Sequence, residues 1–322
     1  MNVMITGIGG MVGTHMTDYL HERGIRPVGL YYNSTVPLSE LADRADLYEC
    51  DVRDALRVYR LVNEYRPDVI HHLAAQSYPA ASWVRPADTL DINLVGTVNV
   101  CEAVKLVRMT DPAYNPTIVI ACSSAEYGAS LTPERIPIKE EASLLPLSPY
   151  GVSKVGQDLL AYQYYQSDKI TTVRPRIFNT TGPRKVGDVA SDFTRRAVEI
   201  ELGRSQRLRV GNLSTRRAIT DVRDLVHALI LLAELGEAGE TYNISGSTVY
   251  TIHELLELVR CAARVPLEIE ADPSLLRPTD ELVIFGDSSR LIARTGWKQA
   301  IPLKRTIEDM MNYWRVQLGG AQ

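Results

Sequence analysis

The 322-residue chain is predicted to be an α/β protein, a doubly wound parallel sheet followed by a smaller, mixed α/β C-terminal region. Three observations carry this. Short apolar runs alternate with amphipathic segments of helical period through residues 1–175. A glycine-rich turn lies at the first junction of such a run and such a segment. Past Pro175 the alternation gives way to a less regular stretch in which Arg, Gly and Pro are frequent. Strands alternating with helices make a parallel sheet covered on both faces, and right-handed crossovers wind it in two directions.

In chain order, Asn2 to Thr6 reads as a buried strand. Met11 to Arg23 follows as a helix, with Val12, Met16, Tyr19 and Leu20 at helical spacing and Gly24 as its stop. Strands are expected at Arg26 to Tyr31, Asp46 to Glu49, Val69 to Leu73, Thr117 to Ala121 and Ile170 to Val173. Between them fall helices at Ala55 to Tyr65, Ala87 to Val107 and Pro149 to Gln166. Later come helices at Ser191 to Leu202, Asp224 to Leu235, Ile252 to Ala263 and Lys304 to Gln317, and a strand near Leu208 to Val210. The expected division is a dinucleotide-binding part, residues 1–175 with a returning segment near 215–245, and a substrate-binding region, 176–322.

Composition narrows the function. The formal charge is −4 (35 basic against 39 acidic residues), so there is no basic surplus for nucleic-acid binding. Cys50, Cys101, Cys122 and Cys261 form no C-x-x-C pair and suit neither a zinc site nor a disulfide scaffold. No metal is expected, and the cysteines read as small core residues of a reducing compartment. No apolar run is long enough to span a membrane, and the N-terminus lacks the features of a signal peptide. A cytoplasmic protein is expected.

Two motifs carry chemistry. Gly7-Ile8-Gly9-Gly10-Met11-Val12-Gly13 is G-x-x-G-x-x-G between the first strand and the first helix. Glycines there permit a tight turn and close approach to a pyrophosphate, and the helix N-terminus attracts its charge, as in Rossmann-type folds. An acid closing the second strand would select NAD, and an arginine there NADP. The stretch through Tyr32 and Asn33 has neither, which leans the reading to NADP, with NAD the alternative. Asp51 and Val52 are placed to frame the adenine, or Asp51 to cap the next helix.

The second motif, Tyr150-x-x-x-Lys154, puts a phenol and an ammonium on one helix face. The ammonium is expected to lower the tyrosine pKa so that it exchanges a proton near neutrality. Upstream, Cys122-Ser123-Ser124-Ala125-Glu126-Tyr127-Gly128 leaves the fifth strand at the carboxyl edge of the sheet. A serine there can bind a substrate oxygen and the carboxylate can act as acid or base.

The glycine loop, His72-Leu73-Ala74-Ala75, Asn93-Leu94-Val95-Gly96-Thr97, the Ser-Ser-Ala-Glu-Tyr-Gly segment and Tyr150 to Lys154 fall in the order of the extended short-chain dehydrogenase/reductase superfamily, which the chain resembles over nearly its whole length. Within it, Gln76-Ser77, Phe178-Asn179, Gly182 to Lys185 and Leu276 to Asp280 resemble GDP-mannose 4,6-dehydratases. Thr220 to Asp224 and Thr295 to Lys298 resemble especially the GDP-4-keto-6-deoxymannose reductases.

The resemblance implies roles. Tyr150 would be the general base toward the sugar C4 hydroxyl, Lys154 its partner and ribose ligand, Ser124 the ligand of the C4 oxygen, and Glu126 the base that takes the C5 proton. Gly7, Gly10, Met11, Gly13, Leu73, Ala74, Ala75 and Asn93 would line the cofactor. Gln76, Ser77, Asn179, Arg184, Arg217, Arg277 and Asp280 would meet the nucleotide sugar, the arginines holding its diphosphate. The expected substrate is a GDP-hexose. The expected activity is 4,6-dehydration, with 4-keto reduction the alternative and a non-catalytic nucleotide sensor a remote third reading. The two long helices at Ala87 and Pro149 carry more apolar residues than one sheet face covers, which predicts a homodimer.

Overall fold

The computed structural model describes residues 1–275 and 281–319. The first half runs β1 (Val3–Thr6), α1 (Met11–His21), β2 (Val28–Tyr31), β3 (Asp46–Glu49), α2 (Ala55–Tyr65) and β4 (Val69–His72). Next come α3 (Pro79–Val84) and α4 (Pro86–Leu90), a π-helical turn at Asp91–Val95, and α5 (Gly96–Arg108). β5 (Thr117–Ile120), β6 (Cys122–Ser123), α6 (Pro149–Asp168) and β7 (Thr172–Ile177) complete this half. The second half contains β8 (Thr180–Thr181), α7 (Val189–Glu201), β9 (Arg207–Val210), β10 (Arg216–Ala218), β11 (Thr220–Asp221) and α8 (Val222–Leu235). It continues with β12 (Thr241–Ile244), β13 (Val249–Thr251), α9 (Ile252–Ala262), β14 (Glu268–Ala271), β15 (Val283–Ile284), α10 (Ser289–Thr295) and α11 (Leu303–Gly319).

The main sheet is parallel, in the order β12-β7-β5-β4-β1-β2-β3, with β6 also paired to β7. This is the doubly wound arrangement expected. Alternate residues of each strand feed opposite layers. Val3, Ile5 and Val119 face α1 and α8, while Met4, Ile118 and Ile120 face α2, α5 and α6. A third cluster joins α7, α9 and α11 through Phe193, Leu255, Ile307 and Met311. Small sheets β13-β10-β15, β8-β11 and β9-β14 connect that layer to the carboxyl edge of the main sheet.

Three departures from the sequence expectation bear on the site. The strand expected to end at Val173 runs on to Ile177, through Pro175. Proline lacks the ladder N–H, but Pro175 falls where β7 changes neighbour, from β5 at Thr172 and Val173 to β6 at Arg176 and Ile177. The helix expected over Ala87 to Val107 contains the π-helical turn, which holds Asn93. The seventh sheet strand, β12, has no counterpart in the expected element order; it is Thr-Tyr-Asn-Ile, too short and too polar to read as a core strand.

Candidate active site

The glycine loop follows β1 and opens α1. Gly7 has φ +73°, and a Cβ there would lie 2.8 Å from the backbone of Ala74, so the turn admits only glycine. A Cβ on Gly13 would lie 2.6 Å from Ile8 Cα, so this glycine lets the helix close onto the loop. Gly10 precedes α1 with no side-chain cap, and Met11 begins the helix. The first-turn N–H groups therefore face outward with their partial positive charge, a donor set suited to a pyrophosphate. Gly9 carbonyl oxygen accepts from Ser34 Oγ at 3.0 Å and from the N–H of Thr35 and of Val36 at 3.1 Å, which draws the loop after β2, with exposed Tyr32 and Asn33, against the cradle. Leu73 N–H donates to Thr6 carbonyl oxygen at 3.1 Å and Ala74 N–H to Thr6 Oγ1 at 3.2 Å, fixing the Leu73–Ala75 edge across from it.

Asp51 does not cap α2; Asp54 does, accepting from Arg57 N–H at 3.0 Å. Asp51 is engaged by Arg53, whose guanidinium approaches to 2.6 Å and holds that carboxyl below its usual range. Asn93 also departs from its expected role as a cofactor ligand. Its Oδ1 accepts from Gln76 N–H at 2.8 Å, and its Nδ2 donates to Gln76 carbonyl oxygen at 3.2 Å and to Ser153 Oγ at 2.8 Å. The side chain is fully buried and fully used, so it shapes the Ala75–Gln76 edge. Gln76, expected to meet substrate, spends its amide within its own loop, on Tyr78 N–H and carbonyl and on Thr89 Oγ1. Ser77 is exposed beside it.

Tyr150 and Lys154 stand on the first turns of α6. Ser148 accepts from Gly151 N–H at 3.1 Å and Pro149 takes the first helical position. Both residues are buried, with Lys154 Nζ 5.8 Å from the Tyr150 ring centre. The electrostatics differ from the expectation. Burial pushes the Tyr150 phenol up to about 12, against a lowering hydrogen bond from Ser123. Burial pulls Lys154 down to about 8, with Cys122 and Glu126 acting in the opposite sense. Desolvation is the largest cause of both shifts.

The serine loop needs two corrections. Ser123 lies beside the Tyr150 hydroxyl and acts to lower its pKa, whereas Ser124, expected to bind the C4 oxygen, opens the turn that follows. Ser123 ends β6, and a single 3₁₀ turn, Ser124–Glu126, follows it, capped by Ser123 Oγ accepting from Ala125 N–H at 3.2 Å. No sequence spacing separates two adjacent serines; the strand register does. Glu126, expected to take a substrate proton, is fully buried behind the loop. Its Oε1 accepts from Ser123 N–H at 2.7 Å and its Oε2 lies 3.2 Å from Arg176 Nε. Arg176 also pairs with Asp158 at 2.7 Å, and Asp158 with Arg174. Burial, and then the neighbouring Asp158, raise the Glu126 carboxyl well above its usual range. The carboxylate is part of an internal ionic cluster.

The arginines divide as well. Arg184 has φ +70° and turns toward α1, where it pairs with Asp18 at 2.5 Å, and toward the turn after β2, where it pairs with Glu40 at 2.8 Å. It latches a loop to the first helix and is not placed as a diphosphate ligand. Arg217, on β10, donates to the carbonyl oxygens of Arg216 and Glu281 at 2.9 and 2.8 Å. It lines a cleft with Asn179, Thr181, Asp188, Ala190 and Ile219 at the amino end of α7. Asn179 Oδ1 and Thr220 Oγ1 are buried without a hydrogen-bond partner there or nearby, the condition of a surface built to receive polar groups. The amino end of α7 was missed in the sequence, although Asp188 before an amphipathic run is a legible cap. Arg277 and Asp280 lie outside the described residues.

The family model described as GDP-mannose 4,6 dehydratase matches residues 4–310. A GDP-6-deoxy-D-mannose reductase of Pseudomonas aeruginosa is 31% identical over 314 residues, 97% of this chain and 96% of that one. The GDP-mannose 4,6 dehydratase of Homo sapiens is 24% identical, across 96% of this chain and 90% of its own. The solved structure of RMD from Pseudomonas aeruginosa complexed with NADPH has a TM-score of 0.85 at 29% identity, with 98% of this chain and 100% of that chain covered.

Proposed function

The chain belongs to the GDP-mannose 4,6-dehydratase family, NAD(P)-dependent enzymes of the extended short-chain dehydrogenase/reductase type, and from that premise we propose that it reduces the C4 ketone of a GDP-linked 4-keto-6-deoxyhexose with NADPH. The observation that carries this reading is the seat of Glu126. Dehydration needs a second proton-transfer group at the sugar C5. The carboxylate the sequence offers is fully buried, its Oε1 accepting from Ser123 N–H and its Oε2 lying 3.2 Å from Arg176 Nε. Reduction needs one proton donor, and Tyr150, with its phenol held protonated by burial, is that donor.

A bound nicotinamide supplies the hydride. Tyr150 gives its proton to the C4 oxygen while Ser123 Oγ, beside it, holds that oxygen in place. Lys154 aims its ammonium at the ribose and the phenol. Gly7, Gly10, Met11 and Gly13 hold the pyrophosphate, Asp51 and Val52 border the adenine, and Tyr32 and Asn33 border its ribose. The 31% identical reductase and the NADPH-bound relative support NADPH as the donor. Asn179 and Arg217, with the amino end of α7, meet the GDP diphosphate. Residues 1–175 with the returning 215–245 segment serve the cofactor, and 176–322 mainly the sugar nucleotide. Val95 and Leu106 beside Val152, Leu159 and Tyr162 form an exposed apolar face on α5, its π-helical turn and α6, which suits a homodimer.

The test is a pair of incubations. GDP-4-keto-6-deoxymannose with NADPH should oxidise the cofactor in proportion to sugar reduced, and Glu126→Gln should keep this rate within about threefold, since the amide oxygen still accepts from Ser123 N–H. Loss of water from GDP-mannose without added cofactor, abolished by Glu126→Gln, would instead establish the dehydratase.

A further inference from the structure

Behind Lys154 runs an unbroken chain of buried hydrogen bonds that the proposed reaction does not itself explain. Lys154 Nζ donates to Ala121 carbonyl oxygen at 2.8 Å and to Gln157 Oε1 at 2.7 Å. Gln157 Nε2 donates to Thr97 Oγ1 at 2.7 Å. His72 Nε2 lies 3.1 Å from the same Thr97 oxygen, and His72 Nδ1 lies 2.8 Å from Thr6 Oγ1. Thr6 Oγ1 in turn accepts from Ala74 N–H at 3.2 Å, at the edge of the cofactor cradle. Thr6, His72, Thr97, Gln157 and Lys154 are all buried, none more than 3% exposed.

With the Thr97 hydroxyl donating to its shorter contact, the Asn93 carbonyl, the directions along this chain follow. Thr97 has one hydroxyl proton and donates it to Asn93 carbonyl oxygen at 2.8 Å. Its oxygen must then accept from both Gln157 and His72. His72 therefore carries its proton on Nε2, and Nδ1 accepts from the Thr6 hydroxyl. Gln157 must present its oxygen to the ammonium and its amide to Thr97. A proton leaving Lys154 finds no route along the chain, because the Thr97 proton points to a backbone carbonyl. The chain is a brace. It spends two of the three ammonium protons on fixed acceptors and leaves the third to aim into the site.

We propose that Gln157 and Thr97 are positioning residues that hold the Lys154 ammonium in register with Tyr150 and with the Ala74 edge of the cofactor cradle. This rests on the role given to Lys154 in the proposed reaction. The groups facing the ammonium are Tyr150 on α6, His72 on β4, Cys122 on β6 and Glu126 in the 3₁₀ turn, with Asp158 and Arg176 behind Cys122. A neutral acceptor at 157 is thus the nearest side-chain partner of the charge.

The test compares Gln157→Leu, Gln157→Glu and Thr97→Val, with Thr97→Ser as the conservative control. The ¹⁵Nζ resonance of Lys154, assigned by its loss in Lys154→Met, is titrated in the protein without substrate. Its midpoint should move down in Gln157→Leu and up in Gln157→Glu, because one removes an acceptor and the other adds a charge. In turnover, kcat of Gln157→Leu and Thr97→Val should fall about tenfold to a hundredfold with KM for the sugar nucleotide within about twofold, and Thr97→Ser should recover most of it. Gln157→Glu preserves volume and carries the test if Gln157→Leu does not fold. Midpoints that stay put, or that move in the same direction in both variants, would overturn the proposal. Opposed shifts in protein that turns over no keto sugar would retain the brace and reject the proposed reaction instead.

Discussion

The proposed catalytic corner and the proposed diphosphate cleft lie at the same edge of one sheet but are built in opposite ways. Around Lys154 every polar group of the brace is paired: the ammonium twice, the amide of Gln157 at both ends, and both nitrogens of His72. The cleft beside Arg217 keeps two buried oxygens unpaired. Asn179 Oδ1 and Thr220 Oγ1 have no hydrogen-bond partner, and Arg217 leans on backbone carbonyls. Groups that do chemistry must be held before substrate arrives, whereas groups that bind a polyanion are completed by it. The chain has fixed the first region with internal hydrogen bonds and left the second for the ligand to finish.

The largest expected effect breaks the catalytic side. Tyr150→Phe should lower kcat by about 10²–10⁴-fold while KM for the sugar nucleotide holds, as read by steady-state kinetics. Next, on the binding side, Arg217→Ala should raise KM by about tenfold to a hundredfold, the worth of a hydrogen bond to a charged group, with kcat little changed. Arg184→Ala sharpens the contrast from the other direction. Its pairs with Asp18 and Glu40 latch the fold, so urea unfolding should show a loss of about 1.5–3 kcal/mol with KM unchanged. A raised KM with unchanged stability would return Arg184 to the diphosphate.

A last test concerns acid. His71 and His72 are held down to about 3 by burial. Below about 6.5 the unfolded chain takes up these protons first, so stability present above 6.5 is lost as the pH falls toward 3, by about 1.4 kcal/mol per pH unit for each histidine. Urea midpoints between pH 7 and 5 should fall accordingly. His71 Nδ1 has no partner, so His71→Leu should remove its share of that slope.

Local order carries its own sequence signature, and this chain shows how far that reaches. Most strands and helices of the first half were legible because each is a continuous run with its own period and punctuation, such as the glycines after β1 and Ser148-Pro149 before α6, while the cap of α2 was not, since Asp51 was the candidate and Asp54 takes the place. The cofactor loop and the Tyr150–Lys154 pair were legible for the same reason, each lying within one turn. β12 was not legible, since four mixed residues become a strand only when β7 lies beside them.

The sequence by itself determined the fold class and offered the candidate cradle and the Tyr150–Lys154 pair, because those follow from spacing along one segment. Which serine lies beside Tyr150, how deeply Glu126 is buried and which arginine is held against α1 were decided only by tertiary structure. Each depends on partners far away in the chain: β7 seats β6 and its serine, Arg176 draws Glu126 inward, and Asp18 with Glu40 claim Arg184. A side chain's chemistry is written in its own residue, but the direction in which it points is set by the strongest partner the fold brings within reach.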